Sequence, residues 1–131
     1  MTMWSDSILY LKATKMLQEE RQMLQKYYGS VAKMLQGLQE NDGLTLKKYV
    51  AITYKSGWQV ADYGVEVRTL GAAIEAVISY NGSCGVWYSN GSYYIDHSYR
   101  VATKAEALRI GKLHNQISVL RWKGMKLVYC E

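Results

Sequence analysis

Phenylalanine and proline are both absent from this 131-residue chain, and only two cysteines occur. Twelve Tyr and four Trp therefore carry all the aromatic volume. Those side chains favour half-wet positions where their polar atoms find partners, which suits sheet faces and interfaces better than a deep core. Two thiols, Cys84 and Cys130, are too few for a disulfide framework. No stretch reaches the roughly 18 apolar residues of a membrane span. The opening MTMWSDSILYLKATK meets charge before any long apolar run, unlike a signal peptide. We expect no membrane attachment and a soluble, cytoplasmic protein.

Catalytic signatures are missing as well. The chain holds no HExxH, no paired-cysteine motif and no GxGxxG or GxxxxGK phosphate loop. Its glycines fall at hairpin turns and helix ends. Cys84 and His97 form the one arrangement reminiscent of a nucleophile and its base, but both stand on an apolar strand face and read as core residues. No metal or cofactor is expected, and the chain is read as non-enzymatic.

What is present describes a single domain with an appendage. Nearly half of the residues, 49%, are hydrophobic, enough for a real core. The net charge of +5 is unevenly placed. Residues 1–43 hold five of the sixteen Lys/Arg and five of the eleven Asp/Glu, so the whole excess belongs to residues 44–131. An anionic partner for that second region is thus one reading.

The division at residue 43 follows the pattern of side chains. Across residues 5–41, Leu9, Ala13, Met16, Leu17, Leu24, Tyr28, Val31, Leu35 and Leu38 recur at three- and four-residue steps, one face of a helix. Gly29-Ser30 interrupts it, so one long helix or a helical hairpin fits, and Asn41-Asp-Gly43 ends it. One helix of this length would run about 50 Å, more than a domain this size can cover. We read residues 1–43 as an oligomerisation arm, with Leu9, Met16, Leu17, Leu24, Tyr28, Val31, Leu35 and Leu38 facing a second copy in a homodimer.

Residues 44–131 read as an antiparallel sheet with two helices. Three β-rich pairs flank Ser56-Gly57 (48–67), Asn90-Gly91 (84–101) and Lys123-Gly124 (116–130). Helical runs lie at 69–80 and 103–114, the second opened by Thr103 and Glu106 at capping-box spacing. A shift of 34 residues aligns Tyr54 with Tyr88, Gly57 with Gly91, Asp62 with Asp96, Val67 with Val101, Thr69 with Thr103, Ala73 with Ala107 and Asn81 with Asn115. The expected architecture is α+β: an N-terminal helix or helical hairpin, then ββα-ββα-ββ, an internal duplication of period 34.

Pairing about Asn90-Gly91 sorts its strands into two faces. Cys84, Val86, Tyr88, Tyr93, Ile95, His97, Tyr99 and Val101 share the helix-covered face. Trp87, Tyr94, Asp96 and Arg100 share the opposite, more polar one. Trp87 opposite Tyr94 is at least a stabilising cross-strand pair. Because Trp, Tyr and Arg dominate interface hot spots, Trp87, Tyr94, Asp96 and Arg100 are also the candidate partner-binding surface. A second candidate surface combines Lys55, Arg121, Lys123 and Lys126 with Trp58 as a nucleic-acid contact.

The stretch YYIDHSYRVATKAEALRIGKLHNQISVLRW (93–122) resembles a module of small phage-encoded proteins of unassigned function. The matching residues are Asp96, Ser98, Ala107, Gly111, Asn115, Gln116, Ile117 and Trp122. Thr103 to Ala107, opening a helix after strands, is similar to the arm-type DNA-binding domains of phage integrases. The first resemblance implies a phage or mobile-element accessory protein, acting in the host cytoplasm. The expected partner is a host protein, bound as a counter-defence inhibitor would bind it. The second implies nucleic-acid binding. A third class is an oligomeric sponge for a small nucleotide signal.

Overall fold

The computed structural model describes residues 18–130, with side chains from residue 25 onward. Among them lie three helices and one seven-stranded antiparallel sheet, an α+β fold. Helix α1 (Gln18–Gln36) precedes strands β1 (Asp42–Lys47), β2 (Val50–Ala51) and β3 (Trp58–Val67). Helix α2 (Leu70–Ser79), β4 (Cys84–Ser89), β5 (Ser92–Val101), α3 (Lys104–Leu113), β6 (Ser118–Arg121) and β7 (Lys126–Tyr129) follow. The strand order is β2-β1-β4-β5-β3-β6-β7.

Helix α1 runs unbroken through Gly29-Ser30, so no hairpin forms there. A mid-helix glycine costs about 1 kcal/mol. Burial of Val31 and Leu35, both at 0% exposure, outweighs that at roughly 1.5–3 kcal/mol each. Those two side chains sit in one cluster with Leu46, Ile74, Val77, Cys84, Val86 and Ile95, and Leu38 packs partly against it. The expectation that they face a second copy is therefore corrected: this half of the helical stripe closes the chain's own core. Tyr28 alone of the described stripe stays exposed. Leu9, Met16, Leu17 and the side chain of Leu24 lie outside the described residues.

The first expected hairpin is also corrected. Val50 and Ala51 pair back to β1, through Lys47↔Val50 and Leu46↔Ala51, and not forward across Ser56-Gly57. The turn is Lys48-Tyr49, with both residues in the left-handed region at φ 47° and 69°. Tertiary contacts hold this uncommon conformation. The Tyr49 N–H donates to the Gly82 carbonyl at 3.0 Å, and its ring stacks on Tyr27 with centroids 4.3 Å apart.

Around Asn90-Gly91 the expected register holds: Tyr88↔Tyr93, Trp87↔Tyr94, Val86↔Ile95 and Cys84↔His97. Both turn residues have positive φ, 54° and 78°, the twist that suits a two-residue hairpin. The Glu40 carboxylate accepts the Asn90 N–H and ties the turn to the segment that leads into β1. Strands β6 and β7 also pair, but Arg121↔Lys126 leaves a four-residue loop, 122–125, rather than a tight Lys123-Gly124 turn.

A 34-residue shift carries the bounds of β3 onto those of β5, and those of α2 onto those of α3. The helices share their caps: Thr69 accepts from the Ala72 N–H at 3.1 Å and Thr103 from the Glu106 N–H at 3.3 Å. Asn81 and Asn115, both at φ 56°, terminate them. Helices α1 and α2 cover one part of the sheet. Helix α3 covers another through Ala107 and Ile110, over Trp58, Val60, Val101 and Val119. All three lie on one face, and among the described residues no helix covers the other.

Candidate functional site

Sheet twist and one crossing segment shape the open face. Strand β2 lies four places from β3, about 19 Å at 4.8 Å per strand. Residues 52–57 must bridge that gap, and six extended residues reach about 20 Å. They cross at one end of the open face, where Tyr54 meets Trp122 edge-on at 5.5 Å. The Gly57 carbonyl there accepts the Trp122 N–H at 3.0 Å.

Beside this crossing lies a groove of about 610 Å³. One wall is formed by Ala51, Ile52, Thr53 and Trp87, the other by Leu120, Trp122, Met125 and Leu127. Strands β1 and β6 both contribute although three strands separate them, so the sheet is curled about its open side. Gly43, Thr45, Gly85 and Asp96 line the floor, and Asp96 is the single ionisable side chain in the lining. An adjoining hollow of about 410 Å³ shares Thr45, Gly85, Asp96, Leu120 and Leu127, and again Asp96 is its one ionisable group.

Asp96 stands in the middle of the sheet between two glycines, Gly85 on β4 and Gly64 on β3. A Cβ at Gly64 would land on Oδ1 of Asp96 and 2.8 Å from the Ile95 carbonyl. The carboxylate therefore leans over the bare backbone of β3. At Gly85 a Cβ would meet only Ser98 Oγ, at 3.6 Å, so the floor beside the carboxylate is open. Among the described residues no donor or cation reaches Asp96. Burial, then the neighbouring Asp62 carboxylate, raises its pKa. Next along the floor, Trp122 Nε1 donates to Gln59 Oε1 at 3.1 Å, and Gln59 Nε2 donates to Ser98 Oγ at 3.1 Å.

Of the residues singled out from sequence, Trp87 and Tyr94 are neighbours on this face, 46% and 38% exposed. Asp96 lies deeper on the same face. Arg100 is drawn away: its Nε donates to the Ser56 carbonyl at 3.0 Å, and its guanidinium lies 5.3 Å from the Tyr54 ring centroid. Its work is to fix the crossing segment. Trp58 is buried in the α3 cluster and has no face for stacking, which corrects its assignment to a nucleic-acid surface. Lys55, Arg121, Lys123 and Lys126 remain exposed at the end of the sheet where the crossing and the β6–β7 loop meet. Gly64, Gly85, Thr45 and Leu120 were not anticipated. Glycine inside a strand pattern marks a close approach or a bulge, and that signal was in the sequence.

On the helix side, Cys84 is buried and its thiol is pushed up to about 12, by burial first and then by Asp96. It holds no thiolate to attack with near neutral pH. His97 Nδ1 bonds instead to Asp62 at 2.9 Å, and its ring stacks on Tyr63 with centroids 5.4 Å apart. Among the described residues, no three His, Cys, Asp or Glu side chains converge as a metal site. No described helix is long and apolar enough to cross a membrane. Comparison with family models, curated proteins and solved structures finds no match to this chain.

Proposed function

We propose that the chain is a non-enzymatic binding protein that captures a segment of another protein on its open sheet face. In the setting implied by the resemblance, it is a phage or mobile-element accessory protein and its partner a host protein, as for a counter-defence inhibitor. The observation that carries this reading is the groove between the two edges of the sheet, walled by Ile52, Trp87, Leu120 and Leu127. Exposed apolar concavities rimmed by polar groups mark interaction sites. Tryptophan in such a wall is a common anchor. The reading treats the 34-residue repeat as an internal duplication of a strand–helix unit, with β4 and the crossing segment as unequal companions.

Pull-down from host lysate with wild type and a Trp87→Ala/Tyr94→Ala variant tests it. A partner held by wild type and lost by the variant is expected; equal retention rules the face out. One observation favours a second reading, nucleic-acid binding. The Arg100–Ser56 and Trp122–Gly57 hydrogen bonds bring Lys55, Arg100, Arg121, Lys123 and Lys126 to one end of the sheet. A mobility-shift titration at low and moderate salt decides that case, since phosphate contacts weaken steeply with salt.

A further inference from the structure

The groove has apolar walls, yet on its floor sits a carboxylate, Asp96, that meets no counter-charge among the described residues. A protein gains nothing from such an arrangement by folding, because a partly buried carboxylate gives up hydration and gains no ion pair in return. The cost is recovered when a cation arrives. Glu66, on the same face of β3 two residues beyond Gly64, offers no cation either, and its carboxylate accepts the Ser92 hydroxyl at 2.7 Å. The basic side chain of that face nearest along β5, Arg100, is held at the crossing by Ser56.

We infer that Asp96 is the recognition point for an arginine side chain of a bound partner, its guanidinium lying on Gly85 against the carboxylate while its methylenes run along the Trp87 and Leu120 walls. This rests on the protein-binding reading above and names the feature of the partner that the groove selects. Flatness favours arginine over lysine. The floor next to the carboxylate is bare glycine backbone, which admits a planar group, and a carboxylate receives a guanidinium through two parallel hydrogen bonds. Thr45 stands on the same floor as a further acceptor. The same acid repels phosphate, which separates this groove from the basic end of the sheet.

The test needs no identified partner. N-acetyl-arginine methylamide is titrated into ¹⁵N-labelled full-length protein, with N-acetyl-citrulline methylamide as its uncharged isostere and N-acetyl-lysine methylamide as a second cation. The arginine probe is expected to move the amides of Gly64, Gly85 and Asp96 and to bind at least fivefold more tightly than citrulline. Lysine should fall between them. In Asp96→Asn, a substitution that keeps shape and removes charge, the preference for arginine over citrulline should vanish.

Gly85→Ala supplies a second variant. Its new methyl meets only Ser98 Oγ at an ordinary distance, so the fold tolerates it while the floor is blocked and arginine binding drops. Equal affinity for arginine and citrulline in wild type overturns the proposal. So does an arginine preference that survives in Asp96→Asn, or shifts confined to residues away from the groove. Arginine binding with no captured protein in the pull-down would sink the protein-binding reading and leave the subsite standing. A partner captured through Trp87 and Tyr94 with no arginine preference would do the reverse.

Discussion

Substituting Gly64 by Ala should unfold this protein more readily, and the size of the effect can be worked from its neighbours. Elsewhere in a strand the change would help, since glycine costs about 0.5–1 kcal/mol relative to alanine. Here the added methyl collides with Asp96 Oδ1 and sits 2.8 Å from the Ile95 carbonyl. The carboxylate can swing aside, although it would then lose its place over β3. The carbonyl belongs to the ladder and cannot. Overpacking of this kind costs about 1–3 kcal/mol, so the net loss should be about 1–2 kcal/mol.

Urea unfolding followed by tryptophan fluorescence reads this directly, because Trp58 and Trp122 are both buried. With a urea m-value of about 1–2 kcal/mol per molar, the midpoint should fall by about 1 M. A double-mutant cycle isolates the cause. In an Asp96→Ala background the carboxylate collision is gone and only the Ile95 approach remains, so Gly64→Ala should cost about 1 kcal/mol less. An equal cost in both backgrounds would show that the carboxylate does not lie over Gly64, and the geometry proposed for the arginine subsite would fall with it.

The pKa of Asp96, raised by burial and by Asp62, means that the folded state holds this proton more tightly than the unfolded one. Its stabilising contribution is therefore present below the ordinary carboxylate pKa and lost as pH rises through the raised value. Thermal unfolding should show wild type losing ground to Asp96→Asn across that window; parallel pH profiles would contradict it. Leu35→Ala should cost about 2–5 kcal/mol, as for other buried leucines, without altering the sedimentation coefficient of the folded protein. A change of oligomeric state with stability intact would restore the interface reading of α1. Native protein should expose only Cys130 to a thiol reagent, since Cys84 is fully buried with its thiol pushed up to about 12. Labelling of Cys84 at the rate of Cys130 would mean that the sheet opens readily.

How much of this fold was legible depended on where each turn found its support. Asn90-Gly91 carries its own instruction: both residues accept positive φ at low cost, and the register of β4 and β5 followed from it. Thr69, Thr103, Asn81 and Asn115 bounded α2 and α3 for the same local reason. Lys48-Tyr49 has no such signal. Its left-handed turn exists because the Gly82 carbonyl and the Tyr27 ring hold it from 33 and 22 residues away in the chain. Once that turn was missed, the run from residue 48 to 55 looked like the first strand of a hairpin about Ser56-Gly57. The short alternation of Leu44 and Leu46 in β1 went unread beside the longer helical pattern.

The site divided along the same line. Alternation about a known turn put Trp87, Tyr94 and Asp96 on one face, and they share it. Alternation says nothing of what lies across a curled sheet, so the wall built by Leu120, Met125 and Leu127 was invisible. It misplaced Arg100 for the same reason. That side chain faces the predicted way, yet a crossing segment 44 residues earlier in the chain claims its guanidinium. The 34-residue shift matches Asp96 to Asp62 as equivalent positions of the repeat. The two carboxylates part company: Asp62 is spent on His97, while Asp96, between two glycines, meets no partner among the described residues. Equivalent positions in a repeat fix where a side chain stands in its strand; the neighbouring strands decide whether its charge is used.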